Sequence, residues 1–194
     1  GGAGTGKTVL AMHRAKWLAE NATAPGQKVL FTTFTRNLAS DIEHNLKQMC
    51  SSETLAKIEV RNLDAWVYQF LRSQRYEHRI LYNRHKEGRE AWATAMAISP
   101  DALALPEAFY EQELEEVVLA QGVMTLDDYR VARRVGRGVT LNRSKRDAIW
   151  PVFEEYRSQL RSRQLKEVDD AYHDAAQALK VHVAMAYSAI VVDE

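Results

Sequence analysis

The chain opens on Gly1-Gly2-Ala3-Gly4-Thr5-Gly6-Lys7-Thr8, and this run restricts the possible folds more than any other stretch. It fits the spacing G-x-x-x-x-G-K-[ST] throughout. Glycines let successive backbone N–H groups turn inward with no side chain in the way, which makes a concave cradle for phosphate oxygens. Val9-Leu10-Ala11-Met12 begins a helical pattern that lasts to about Glu20. The cradle therefore sits on a helix N-terminus, where the peptide dipoles favour an anion. Lys7 is placed to reach the β- and γ-phosphates of a nucleotide, and the Thr8 hydroxyl to ligate Mg²⁺. The plainer alternative is a flexible glycine-rich terminus carrying a chance lysine. The strand that ordinarily delivers such a loop would precede Gly1.

Past this first helix the chain alternates strand and helix. Asn21 to Gly26 is a loop, because Pro25 and Gly26 stop the first helix. Lys28 to Phe34 is β-rich and bounded by turn signals, hence a buried strand. Leu38 to about Met49 has helical apolar spacing, Ile58 to Asn62 fits a second strand, and Asp64 is a candidate N-cap for a helix from Ala65 to Arg72. Such alternation predicts a parallel α/β sheet. From Ser73 to Arg163 helices dominate and charge is segregated. Residues 107–128 hold seven acids and no base, and residues 129–146 hold seven bases and no acid. A long helix from Lys145 to about Gln164 ends this section. A helix near Asp169–Leu179 and the strand Tyr187 to Glu194 return to α/β style. The expected fold is thus α/β, a parallel sheet flanked by helices, with a mainly helical insertion.

The 194 residues carry 26 Lys plus Arg against 26 Asp plus Glu, so net charge gives no whole-chain sign of nucleic-acid binding. The single cysteine, Cys50, excludes a disulfide scaffold and a cysteine-based zinc site and suits a reducing compartment. No apolar run approaches the roughly 18 residues of a membrane span, and no signal pattern opens the chain. The expectation is a soluble cytoplasmic protein. Six histidines lack metal-ligand spacing and read as structural or surface residues.

A second phosphate-site component belongs at the end of an apolar strand, and Asp193 sits there. An acid at that position holds Mg²⁺ through its water shell, and Glu194 can orient and deprotonate an attacking water. Alone, a terminal Asp-Glu is a weak signal; beside a full phosphate loop it gains meaning. The chain thus begins inside one nucleotide motif and ends inside another, as a fragment of a larger protein would.

These residues, in this order, resemble the UvrD/Rep-like superfamily 1 DNA helicases. Gly2 to Thr8 looks like their motif I, Val29 to Ala39 like motif Ia, and Ala189 to Glu194 like the first half of motif II. Val60 to Trp66 falls where the family has a Thr-Phe-His-type motif Ib. Leu165-Lys166-Glu167-Val168-Asp169-Asp170 is similar to the Asp-Phe-Asp-Asp-like run where the family's chain returns from its insert. Arg36 stands where Asn is usual, and Asn62 and Asp64 replace the usual Thr and His.

The resemblance implies a RecA-like ATP-binding domain at residues 1–72 and 164–194, with the helical subdomain called 1B at 73–163. It implies ATP and Mg²⁺ as cofactors, the phosphates on Gly1, Gly2, Ala3, Gly4, Thr5, Gly6, Lys7 and Thr8, the metal near Thr8 and Asp193, and Lys7 and Glu194 in catalysis. It also implies single-stranded and junction DNA as partners, no membrane, and a second RecA-like domain of the same parent chain. Residues 1–194 alone would then turn over no ATP.

For DNA contact the candidates are Phe34, Thr35, Arg36 and Asn37 of motif Ia, and Asn62 and Asp64 of motif Ib. Phe34 can stack on a base or sit in the core, and the three polar residues can meet phosphate or cap the next helix. Trp66 reads as core. Arg133, Arg134 and Arg137 of the basic run can face duplex phosphates or pair with the acidic run before them. Two rival functions stand beside the helicase. One is another P-loop NTPase or phosphotransferase, a GTPase included, although no Asn-Lys-x-Asp base-specificity motif occurs. The other is a non-catalytic interaction module with a relic phosphate loop.

Overall fold

A computed structural model describes residues 6–82, 86–181 and 186–193. By contacts the chain divides into two compact units. One comprises the residues up to Arg75 and those from Ala178 on; the other is Tyr76–Gln177.

The first unit holds α1 (Lys7–Asn21), β1 (Lys28–Thr33), α2 (Arg36–Met49), α3 (Ser52–Ala56), β2 (Ile58–Asn62), α4 (Leu63–Ser73) and β5 (Tyr187–Asp193). Its sheet has the order β2-β1-β5, and both pairings are parallel. The central strand β1 is buried on both faces from Val29 to Thr33, which is why it reads as an unbroken apolar run closed by two threonines. Val29 and Phe31, with Ile58, Val60, Ala189 and Val191 beside them, pack against Met12 and Ala15 of α1 and Ile42 and Leu46 of α2. Full burial of a side chain such as Phe31 contributes about 1.5–3 kcal/mol.

Two helix starts differ from the sequence expectation, each because of a cap. Thr35 accepts from the Leu38 N–H at 3.2 Å, so α2 begins at Arg36 rather than near Leu38. The cap of α4 is Asn62 and not Asp64: Asn62 Oδ1 accepts from the Ala65 N–H at 3.1 Å, and Asp64 lies in the first turn. Asn62 ends a strand in extended backbone, and that geometry suits a cap. Asp64, already inside the helix, has the wrong backbone for the task.

The second unit holds β3 (Arg79–Leu81), α5 (Lys86–Met96), α6 (Glu107–Glu113), α7 (Leu126–Val131), α8 (Arg143–Ser162), β4 (Leu165–Glu167) and most of α9 (Val168–Val181). A 3₁₀ turn at Asp101–Leu103 precedes α6, and a π-helical stretch at Leu114–Leu119 continues it. Its core is aromatic. Trp92 meets Tyr156 edge-on at 5.3 Å, and Tyr129 stacks on Trp150 and meets Phe153 edge-on at 5.9 Å. Such pairs add about 0.5–1.5 kcal/mol beyond the area they bury.

The short parallel pair β3-β4 has no counterpart in the sequence expectation, because three residues are too few to show a period of two. Leu165 joins this core, and contacts carry the unit through Gln177, further than the sequence boundary at 163. Gly122 sits at φ +63°, and a Cβ there would lie 2.1 Å from the His173 ring. The left-handed backbone favours glycine there, and any side chain would also have to displace the His173 ring.

Candidate functional site

In parallel strands, residues in register point to the same face. Asn62, Thr33 and Asp193 are in register at the carboxyl ends of β2, β1 and β5. They share the face that α1 and α2 cover, two residues beyond the apolar row Val60, Phe31 and Val191. All three are buried, with 9%, 1% and 5% of their surface exposed.

The Thr33 hydroxyl and Asp193 Oδ2 have no hydrogen-bond partner among the described residues. A buried carboxylate oxygen left unpaired is costly, of the order of 1–3 kcal/mol or more. Such a group is retained where a cation or a water completes it. A hard divalent ion takes oxygen ligands, so the donor set of Asp193, Thr33 and the Thr8 hydroxyl is chemically suited to Mg²⁺ and its waters.

α1 packs against both β1 and β5. Its N-cap, Gly6, is in the left-handed region at φ +75° and brings no side-chain cap, and the first turn carries no acid. A helix N-terminus without a side-chain cap among the described residues suits an anion. Lys7 is exposed and Thr8 half-buried at this same end. Gly1 to Thr5 and Glu194, which the sequence assigns to the phosphate cradle and to water activation, lie outside the described residues.

Beyond the carboxyl end of β1 the chain turns into α2 through Phe34 and Thr35. Phe34 is 57% exposed, so it is not a core residue here, and Thr35, Arg36 and Asn37 are exposed beside it. Thr35 caps α2, and Arg36 and Asn37 occupy a first turn that holds no acid. The arrangement offers an aromatic face flanked by a cation, an amide and a helix N-terminus, a surface able to receive a base and its neighbouring phosphates. Trp66 is half-buried, stacks on Phe70 and donates to the Tyr187 hydroxyl at 3.2 Å.

The family model for the UvrD/REP helicase N-terminal domain matches residues 1–194. The chain belongs to that family. Comparison with curated proteins gives no match.

In this helicase domain the basic run does not stand in solvent as a whole. Glu113 is 0% exposed and accepts from the Tyr129 hydroxyl at 2.8 Å and from Arg134 at 2.7 and 2.9 Å. Arg137 reaches the same carboxylate at 3.3 Å and Glu116 at 3.0 Å. Both arginine side chains are only 7% exposed and lie over the Phe109 ring. Burial and the neighbouring Glu113 charge push the Tyr129 phenol well above its ordinary range. Arg130 pairs with Asp147 and Asp127, and Arg146 donates to the Tyr129 and Ala132 carbonyls. Arg133 differs: its side chain is exposed, and its backbone is tied on both sides to the Gln121 amide.

Other buried polar contacts pair residues that no local spacing links. Arg157 grips Asp170 with two hydrogen bonds of 2.7 and 2.9 Å, and Tyr156 donates to buried Glu167. Glu167 and Asp170 belong to the run singled out where the chain returns from the insert. A cavity of about 570 Å³ in the helical unit is lined by Trp150, Glu154, Arg157, Lys166 and Asp170, among others. None of the sequence-predicted site residues lines it. No helix among the described residues is long and apolar enough to cross a membrane.

Proposed function

We propose that this chain supplies the ATP-binding face and part of the single-strand path of a cytoplasmic ATP-dependent DNA helicase or translocase. The observation that carries the proposal is the buried Asp193 with its unpartnered oxygen, in register with Thr33 and one residue from the exposed Phe34 loop. Mg²⁺, when bound, neutralises charge on the β- and γ-phosphates. Asp193 and Thr8 hold it, the N–H groups at the start of α1 and the loop from Gly1 to Gly6 surround the phosphates, and Lys7 adds a cation facing them. Glu194 orients the attacking water and takes its proton. Phe34 stacks on a base, with Thr35, Arg36 and Asn37 against sugar and phosphate. The ATP-binding domain comprises the residues up to Arg75 and those from Ala178 on, Tyr76–Gln177 form its helical insertion, and a second RecA-like domain of the same protein closes on the nucleotide.

The test is ATP hydrolysis by the full-length protein with and without single-stranded DNA of unrelated sequences. Strong stimulation by every sequence is the expected outcome. A rate indifferent to DNA would favour another kind of P-loop enzyme, and no hydrolysis under either condition a relic loop. Either result overturns the proposal.

A further inference from the structure

Asn62 stands where the family resemblance leads one to expect a DNA contact, yet the structure spends its amide internally. Beyond the end of β1 at Thr33 the chain turns into α2 at Arg36, and the Thr33 and Phe34 carbonyls lie at this turn. Buried carbonyls in such a turn need donors. Asn62 Nδ2 supplies them, 3.3 Å from the Thr33 oxygen and 2.9 Å from the Phe34 oxygen. Its Oδ1 is used as well, accepting from the Ala65 N–H at 3.1 Å. An amide with both ends engaged and 9% of its surface exposed has no free edge to offer a base or a phosphate.

The same bonds fix the peptide plane after Phe34, and through it the direction of the exposed ring. The chemistry is specific to this side chain. Aspartate keeps the cap but turns an acceptor toward two carbonyls. Serine keeps a cap but is too short to bridge from β2 to the turn after β1. From this geometry we infer that Asn62 is a positioning residue for single-strand binding, one that presents Phe34 without touching the strand. The inference rests on the reading that Phe34 to Asn37 face DNA.

The experiment is a double-mutant cycle in the full-length protein, with N62D and F34A alone and together. Binding of a fluorescent oligothymidine is followed by anisotropy, and folding by melting. Asn62→Ser serves as a second variant if Asn62→Asp does not fold.

In the wild-type background Asn62→Asp weakens oligothymidine binding roughly tenfold, within the range of coupling between residues in contact. Where Phe34 is already Ala it has no further effect. Equal losses with and without Phe34 would mean that Asn62 acts independently of the ring. Undiminished binding by both Asp and Ser variants would mean that the clamp is idle. Either overturns the inference while leaving the function standing. If Phe34→Ala itself leaves binding unchanged, the reading beneath it has failed, and the inference with it.

Discussion

In the helical unit Glu113 is wholly buried, and its carboxylate meets a phenol and two guanidiniums. In the sheet unit Asp193 is nearly as buried, and one of its oxygens meets nothing among the described residues. Both are buried acids in regular elements, and sequence gives little to tell them apart. The difference is one of use. A buried charge that the fold alone must keep is surrounded by its own partners, since an unpaired one costs several kcal/mol. A buried carboxylate oxygen left without a partner is costly to the fold, and under the proposed function Asp193 keeps it for a ligand. The unpaired polar groups of the helical unit, the Tyr110 hydroxyl and the Trp150 indole N–H, are neutral and cost far less.

The largest effect that tests this contrast is Glu113→Ala. It leaves Arg134 and Arg137 buried without their shared carboxylate, and about 3–5 kcal/mol of stability should be lost. Denaturant unfolding followed by tryptophan emission checks this. A loss under about 1 kcal/mol, the scale of an exposed pair, would mean that the cluster is solvated in practice and that the two acids are alike.

Asp193→Asn is the counterpart. The fold should tolerate it, with a melting temperature at or above that of the parent, while Mg²⁺-dependent ATP hydrolysis falls by about 100-fold or more, since even outer-shell partners of a metal are worth 10–100-fold. Magnesium titrations of nucleotide binding give a readout independent of turnover. A strongly destabilised but active variant would invert the comparison.

Phe34→Ala comes next. Stacking on a base is worth about 1–3 kcal/mol, so single-strand affinity should fall accordingly with no change in melting, because the ring is already largely in solvent. The basic run sharpens the same point: replacing Arg134 and Arg137 should lower stability and leave the salt slope of junction binding unchanged. Arg133→Ala should leave stability alone, and if Arg133 meets a duplex phosphate the slope should flatten by about 0.9.

The smallest effect concerns pH. Thr125 and Asp128 form a capping box at the start of α7, and the Thr125 hydroxyl holds the Asp128 carboxyl below its ordinary range. A depressed folded-state value means that the stabilisation is present above the unfolded value, near pH 3.9, and is lost as pH falls through the folded one. Thr125→Ala should therefore lower the melting temperature slightly at neutral pH and narrow the gap from the parent as the solution is acidified. A gap that widened on acidification would show that the box is not the cause.

Much of this molecule was legible from residue order alone. The spacing of Gly1 to Thr8 points to phosphate chemistry, and its first five residues lie outside the described ones. The alternation of strands and amphipathic helices gives a parallel sheet, because a helix between strands is the crossover that parallel pairing needs, and β1, buried on both faces, reads as an unbroken apolar run. The motif order leads to the helicase family. Tertiary structure decided the rest, for reasons that involve partners far apart in sequence. Whether Arg134 and Arg137 face DNA or Glu113 depends on an acid more than twenty positions upstream, and local charge pattern carries no such information. Whether Asn62 touches a strand or holds a turn depends on carbonyls twenty-eight and twenty-nine residues earlier, brought beside it by strand register. Types and spacings determine which groups a chain has to offer; packing alone determines which of them it has already used.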